Sequence, residues 1–250
     1  MGCRARAEAE GMNATTTALV TGANKGLGRE TVRRLGELGW QVFLGARDAD
    51  RGKQAAVELA EQGLNVEFVQ LDVTSVASIA AAVELVRERT AHLDVLINNA
   101  GISGGFHPPE QTQAADFRAV FETNVFAPVQ VTHAFLPLLR AAPQPRIVMV
   151  SSGMGSLAIT ADPNRLESTF PNLPYTASKS ALNMITSQYS RALPGIQINA
   201  ADPGYTATDF NNHTGHQTLT EGTDAIVHLA TLDPDGPTGG YFDRRGPIPW

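Results

Sequence analysis

The 250-residue sequence predicts a doubly wound α/β domain, with helices on both faces of a seven-stranded, mostly parallel sheet. Three observations carry this expectation. Strand-like and helix-like segments alternate from residue 15 onward, with no internal repeat or long linker between them. A glycine-rich turn joins the first strand to the first helix. The length is enough for one large core, which an α/β sheet of this size builds as a single domain. Residues 14–250 are therefore expected to form one domain behind a tail, 1–13, whose polar composition predicts disorder.

The elements follow from hydrophobic period and from glycine punctuation. TTTALVTG (15–22) reads as a strand ending in glycine, and 26–39 as a helix with Leu27, Val32, Leu35 and Leu38 at helical spacing. Strand 41–47 and helix 50–62 follow, then strand 65–73 and the Ala- and Val-rich helix 75–91. LDVLINNAG (93–101) is a buried strand running into a turn. Residues 112–140 read as one long helix with two internal prolines, and RIVMVSS (146–152) as a strand. The last elements are helix 174–192, strand and loop 195–204, helix 220–232 and strand 238–243. The stretches 102–111, 153–173 and 205–219 lack a regular period. Each follows a strand end, where an open α/β sheet binds its ligand, so they are expected to shape a substrate pocket.

Composition narrows the function. A net charge of −6 offers no basic field for nucleic acid or an anionic membrane. No apolar run reaches the ~18 residues of a membrane span, and the N-terminus lacks a signal-peptide core, so a cytoplasmic location is expected. Cys3 is the only cysteine, which excludes an internal disulfide and a cysteine-based metal centre. His213 and His216 have no evident third ligand, so no metal site is expected.

In the loop Thr21-Gly22-Ala23-Asn24-Lys25-Gly26-Leu27-Gly28, glycines permit a tight turn and a close backbone approach to a pyrophosphate. The following helix start supplies free N–H groups and a positive dipole end. The spacing is G-x-x-x-G-x-G rather than the commoner G-x-G-x-x-G. With Asp72 in LDVT, Asn98-Asn99-Ala100-Gly101, Tyr175-x-x-x-Lys179 and Pro203-Gly204 in the same order, the chain resembles the short-chain dehydrogenase/reductase family over residues 15–243. That resemblance implies a Rossmann-type NAD(P)-binding fold. It implies a cofactor site drawn from Gly22, Asn24, Lys25, Gly26, Leu27, Gly28, Arg47, Asp72, Val73, Asn98, Ala100, Gly101, Tyr175, Lys179, Pro203, Gly204, Thr206 and Thr208. It gives Asp72 the adenine amino group, and Thr206 and Thr208 the nicotinamide carboxamide. Capping of the helix near Ser75 is the structural alternative for Asp72.

The second strand ends Leu44-Gly45-Ala46-Arg47 with no acid to bind a ribose 2′-hydroxyl. Arg47 can grip a 2′-phosphate with two N–H groups, and Lys25 adds a charge on the same side, so NADP(H) is the expected cofactor. Asp48, next in sequence, is a competitor for Arg47.

Tyr175 and Lys179 are four residues apart and share a helix face. A phenol, with an ordinary pKa of about 10, is a poor acid–base catalyst at neutral pH, and a nearby ammonium is expected to lower it. The resemblance makes Tyr175 the general acid and Lys179 the residue holding the nicotinamide ribose. It gives Ser152 the carbonyl oxygen, with Ser151 as the alternative. It gives the Asn124 carbonyl a proton-relay water. Pro128 has no N–H for that carbonyl, so a kink is expected there. The gap from Ser152 to Tyr175 is 23 residues, which implies an insertion within 153–174 relative to the family. That insertion and the C-terminus, GPTGGYFDRRGPIPW, resemble the carbonyl-reductase-like branch.

The expected reaction is NADPH-dependent reduction of a ketone, aldehyde or quinone to an alcohol. The alternatives are an NAD-dependent alcohol dehydrogenase and a non-catalytic nucleotide-sensing protein. The expected partner is the small carbonyl or alcohol substrate. Phe117, Val120, Phe121, Val125 and Leu136 suggest a helix face for a homodimer or homotetramer.

Overall fold

The computed structural model describes residues 15–105 and 108–250; the expected tail, 1–13, lies outside the described residues. The sheet order is β3-β2-β1-β4-β5-β6-β7-β8. Its strands are β1 (Thr17–Val20), β2 (Gln41–Ala46), β3 (Val66–Gln70), β4 (Val95–Asn98), β5 (Arg146–Val150), β6 (Gln197–Ala201), β7 (Tyr241–Asp243) and β8 (Gly246–Pro247). The first seven are parallel, and β8 returns antiparallel against β7. This corrects the expected seven strands to eight. Two residues containing a proline carry too little pattern to read as a strand, and pairing with β7 makes them one.

Buried strands alternate their side chains between two layers. Ala18, Val20, Val42, Leu44, Val95, Ile97, Val148 and Val150 pack under α1 (Gly26–Glu37), α2 (Ala49–Ala60) and α8 (Leu219–Ala230). Leu19, Phe43, Val69, Leu96, Ile147, Met149 and Ile198 face α3 (Val76–Arg89), α5 (Ala127–Ala141) and α7 (Leu173–Ala192). At the order reversal between β1 and β4, neighbouring connections leave to opposite faces and open a crevice at the strand ends.

The helix starts are capped by side chains that match their sequence: Asp48 for α2, Ser75 for α3, Asn172 for α7 and the Thr218/Glu221 box for α8. The expected helix 112–140 is interrupted. It is α4 (Ala114–Phe121), a π-helical turn Glu122–Phe126, and α5. Pro128 cannot donate to the Asn124 carbonyl, and the chain accommodates this by widening one turn instead of bending at a bare kink. The 153–173 stretch is not wholly irregular either, since Ser156 caps a one-turn helix α6 (Leu157–Ala161).

Candidate active site

Gly22 and Gly28 let the first loop lie flat against β4. Gly22 has φ +63°, and a Cβ on it would stand 2.9 Å from the Cα of Ala100. A Cβ on Gly28 would meet Asn99 Nδ2 at 2.6 Å and the Gly22 carbonyl oxygen at 2.7 Å. The Asn99 amide donates to the carbonyls of Thr21 (2.8 Å) and Gly22 (3.2 Å), while Thr21 Oγ1 accepts from the N–H groups of Asn99 and Ala100. Asn99 thus fastens the glycine loop, a role absent from the sequence reading. Asn98 instead turns into the core, donating to Thr132 Oγ1 and Met149 Sδ.

Lys25 occupies the N-cap of α1 without a capping side-chain bond, and no acid sits in the first helical turn. The helix start therefore presents N–H groups and a positive dipole end to the crevice. Arg47 follows the end of β2 and is exposed. Asp48 does not neutralise it: its carboxylate caps α2 at the Arg51 N–H and meets the Arg51 guanidinium at 3.5 Å. Lys25, Asn24, Arg29, Arg51 and Gln54 line a cleft between the starts of α1 and α2. Arg29 pairs with Glu58 at 2.7 Å, yet its Nε is buried with no hydrogen-bond partner among the described residues. Arg51 was not singled out from the sequence; an Arg one turn into a helix reads as solvated there.

Asp72 accepts from the N–H and hydroxyl of Thr74, and Ser75 caps α3 itself. Val73 is buried beside it. Thr206 is buried with its hydroxyl on the Pro203 carbonyl, and Thr208 stands 3.9 Å from where a Cβ on Gly26 would be. The Pro203-Gly204 loop therefore meets the glycine loop across the crevice.

On α7, Asn172 accepts from the Tyr175 N–H and donates to the Gly105 carbonyl at 3.0 Å. This ties the start of the helix to the loop after β4. Tyr175, Ser178 and Lys179 are all buried. Lys179 Nζ donates to the Val150 carbonyl at 2.8 Å and lies 5.7 Å from the centre of the Tyr175 ring. Burial lowers the Lys179 ammonium from its usual value to about 8, with the Asp202 carboxylate opposing. Burial pushes the Tyr175 hydroxyl above its usual range; interaction with Ser152 pulls it back and Asp202 adds to the rise. Desolvation thus outweighs the expected ammonium effect, and Tyr175 is a neutral phenol at neutral pH.

The two serines separate clearly. Ser151 is buried with its hydroxyl on Asn183 Oδ1 at 2.6 Å, whereas Ser152 is only partly buried and faces Tyr175. Asn124 is buried in the π-helical turn. Its side chain bridges the N–H and carbonyl of Ile102, both at 2.9 Å, and donates to Ser178 Oγ at 3.0 Å. A Cβ on Gly101 would stand 3.3 Å from Asn124 Oδ1 and 3.6 Å from Lys179 Nζ, so the three residues converge.

The rings of Phe210 and Tyr175 lie 5.4 Å apart. Phe170 packs on Tyr205 at 6.2 Å, and Tyr205 on His216 at 5.9 Å. The stretches 153–173 and 205–219 therefore meet beside the tyrosine. His213 bonds Asp209 at 2.9 Å, and no group of three possible metal ligands occurs among the described residues.

A family model described as short chain dehydrogenase matches residues 16–219, spanning the glycine loop, Tyr175 and Lys179. The chain belongs to this family. This short-chain dehydrogenase is 34% identical to (-)-isopiperitenone reductase of Mentha piperita, across 91% of its own length and 96% of the relative's. It is 39% identical to the short-chain dehydrogenase anuI of Penicillium roqueforti, covering 85% and 87% of the two chains. NADPH-bound carbonyl reductase from chicken fatty liver has a TM-score of 0.84 and 32% identity, over 94% of this chain and 99% of that one. Salutaridine reductase from Papaver somniferum has a TM-score of 0.80 and 28% identity, over 91% and 99%. Like these relatives, the chain is an oxidoreductase of the short-chain dehydrogenase family. Among the described residues no helix is long and apolar enough to cross a membrane.

Proposed function

We propose that this short-chain dehydrogenase is an NADPH-dependent carbonyl reductase that converts a ketone, aldehyde or quinone to an alcohol, with Tyr175 as the general acid. The observation that carries the reading is the meeting of a buried neutral phenol, the partly exposed Ser152 hydroxyl beside it and Lys179 at the strand ends beside the glycine loop.

The chain's residues fit NADP(H). The glycine loop leaves no room for a Cβ at Gly22 or Gly28, and the start of α1 has no competing acid. Gly22, Asn24, Gly26, Leu27 and Gly28 would hold the pyrophosphate side. Arg47, Lys25 and Arg51 would hold the 2′-phosphate. Asp72 and Val73 are assigned to the adenine, Ala100 and Gly101 to the cofactor face of β4, and Pro203, Gly204, Thr206 and Thr208 to the nicotinamide end. Asn98 supports β4 from behind. When bound, the cofactor supplies hydride.

Ser152 donates to the carbonyl oxygen and stabilises the charge that develops there. Tyr175 transfers its proton to that oxygen, for which the protonated phenol is the competent form. Lys179 holds a positive charge beside the tyrosinate that results and steadies it. The proton returns along Lys179 and the Asn124 carbonyl, freed of its helical donor by Pro128. Phe210, Phe170 and Tyr205 favour an apolar, ring-bearing carbonyl compound. Of the side chains expected to form a dimer face, Val120 and Val125 are instead buried in this chain; the half-exposed Phe126 just before α5 is the apolar group on which a homodimer or larger assembly would rest.

A panel of ketones, aldehydes and quinones, followed by loss of NADPH absorbance, tests the reading. Turnover is expected on at least one apolar cyclic ketone or quinone, and Tyr175→Phe should lower it by about 10²-fold while NADPH still binds. Near-normal turnover in that variant would overturn the mechanism.

A further inference from the structure

Asp202 is the residue of β6's end for which the reaction above has no use. It is a carboxylate at 5% exposure, one residue past Ala201, whose strand partner is the Val150 that receives the Lys179 ammonium. Asp202 Oδ1 accepts the Gly204 N–H at 2.9 Å, and the other carboxylate oxygen lies against Gly153. A Cβ on Gly153 would stand 2.9 Å from Asp202 Oδ2, so the residue after Ser152 must be this small for the contact to exist. The Asp202 N–H donates to the Phe242 carbonyl, which anchors the group to β7. One carboxylate therefore joins the loop that carries Ser152 to the loop that carries Pro203.

We propose that Asp202 is a positioning residue for the reduction: it fixes Ser152 against the Pro203-Gly204 loop and supplies the negative charge that keeps Lys179 cationic beside Tyr175. This rests on the reductase reading. The Gly204 N–H would be served by a neutral acceptor, so hydrogen bonding alone does not call for an anion here, and burying one is costly. What the anion adds is its field. Lys179 is bonded to the carbonyl of Val150, which pairs with Ala201 immediately before Asp202, and Asp202 is the charge acting against its loss of the proton.

The other groups facing Asp202 do not supply that field. Glu167, from the 3-10 turn 166–169, approaches the same point near Gly153, but Arg165 pairs with it at 3.1 Å. Asp243 at the end of β7 and Glu167 both repel Asp202, and with burial they raise its carboxyl above the usual range. Tyr241 on β7 and Tyr175 on α7 are phenols raised chiefly by burial, to which Asp202's charge adds. The signs agree. Removing the charge makes both Lys179 and Tyr175 release their protons at lower pH.

The test is the pH profile of kcat/KM for wild type and Asp202→Asn, with melting temperature and NADPH fluorescence titration measured on the same samples. The variant is expected to fold and to bind NADPH within about threefold of wild type. Its basic limb should move to lower pH by about one unit, the scale of a nearby opposite charge. At pH above both limbs its rate, taken as a fraction of its own plateau, should then be about 10-fold below the same fraction for wild type. Should the Asn variant fold poorly, Asp202→Ser, whose hydroxyl still accepts an N–H, carries the same expectation. A basic limb coinciding with wild type, whatever happens to the plateau, overturns the inference and leaves the reductase reading intact. Unimpaired Tyr175→Phe would instead overturn the reading on which it rests.

Discussion

Lys25 Nζ and Asp209 Oδ2 are 2.8 Å apart, an ion pair that joins the glycine loop to the loop after β6 across the mouth of the crevice. The residues lie 184 positions apart in sequence. Lys25, expected to meet a 2′-phosphate, is thus held by a carboxylate when no phosphate competes. The same Asp209 precedes Phe210, the ring packed on Tyr175.

Asp209→Asn should tighten NADPH binding a few-fold, because the carboxylate competes with the 2′-phosphate for Lys25. NADH binding should hardly change. The pair is more than half exposed on both sides, so its loss should leave the melting temperature nearly unaltered. Fluorescence titration with both cofactors is the check; equal effects on the two would show that Lys25 does not read the phosphate.

Arg47 is exposed at the end of β2, with no acid in the strand before it. Wild type should prefer NADPH to NADH, and Arg47→Asp should narrow or reverse that preference by offering a carboxylate to the 2′-hydroxyl. Kinetics with each cofactor measure this directly. A wild-type preference for NADH would sink the assignment.

Lys179 is charged at neutral pH in both states, but its folded value is depressed to about 8 from the ordinary 10.5. Between those values the unfolded chain binds the extra proton, so stability rises with pH through that window. The gap corresponds to about 3 kcal/mol present as a penalty at pH 7 and relieved by pH 10. Lys179→Met should abolish turnover and flatten this dependence. Urea unfolding from pH 7 to 10 should show wild type gaining on the variant; parallel curves would count against the buried ammonium.

Asn124→Ala should leave the N–H and carbonyl of Ile102 without their partner and remove one of the two bonds of the Ser178 hydroxyl, which keeps the Tyr175 carbonyl. Ile102 is partly open to water and Ser178 keeps a partner, so a loss of roughly 1–2 kcal/mol is expected, together with weaker NADPH binding as the loop after β4 loosens. Denaturant midpoints and cofactor titration test the two parts separately.

Much of the architecture is visible in linear order. The period of Leu27, Val32, Leu35 and Leu38 marks α1, and the apolar runs ending at Gly22, Ala46 and Asn98 mark strands of a parallel sheet. The interruption in 112–140 was half visible: Pro128 foretells a missing hydrogen bond, but not whether the chain bends or widens a turn. That choice depends on Asn124 finding Ile102 and Ser178, which come from other elements. The α6 turn was obscured because five residues carry too little period, and β8 because a Gly-Pro pair becomes a strand only beside β7.

The sequence by itself determined the order of the elements, the glycine loop, and the pairing of Tyr175 with Lys179 on one helix face, since all of these rest on neighbours within a few residues. The tertiary structure decided what those groups feel. Whether Ser151 or Ser152 faces Tyr175, whether Asn98 or Asn99 meets the glycine loop, and whether Tyr175 titrates up or down depend on which side of the sheet a side chain leaves and how much water remains there. Asp202 shows the reason most plainly. In the sequence it is one acid before a turn; in the fold the ends of β5, β6 and β7 enclose it, and low polarizability around a charge turns a local residue into a long-range one.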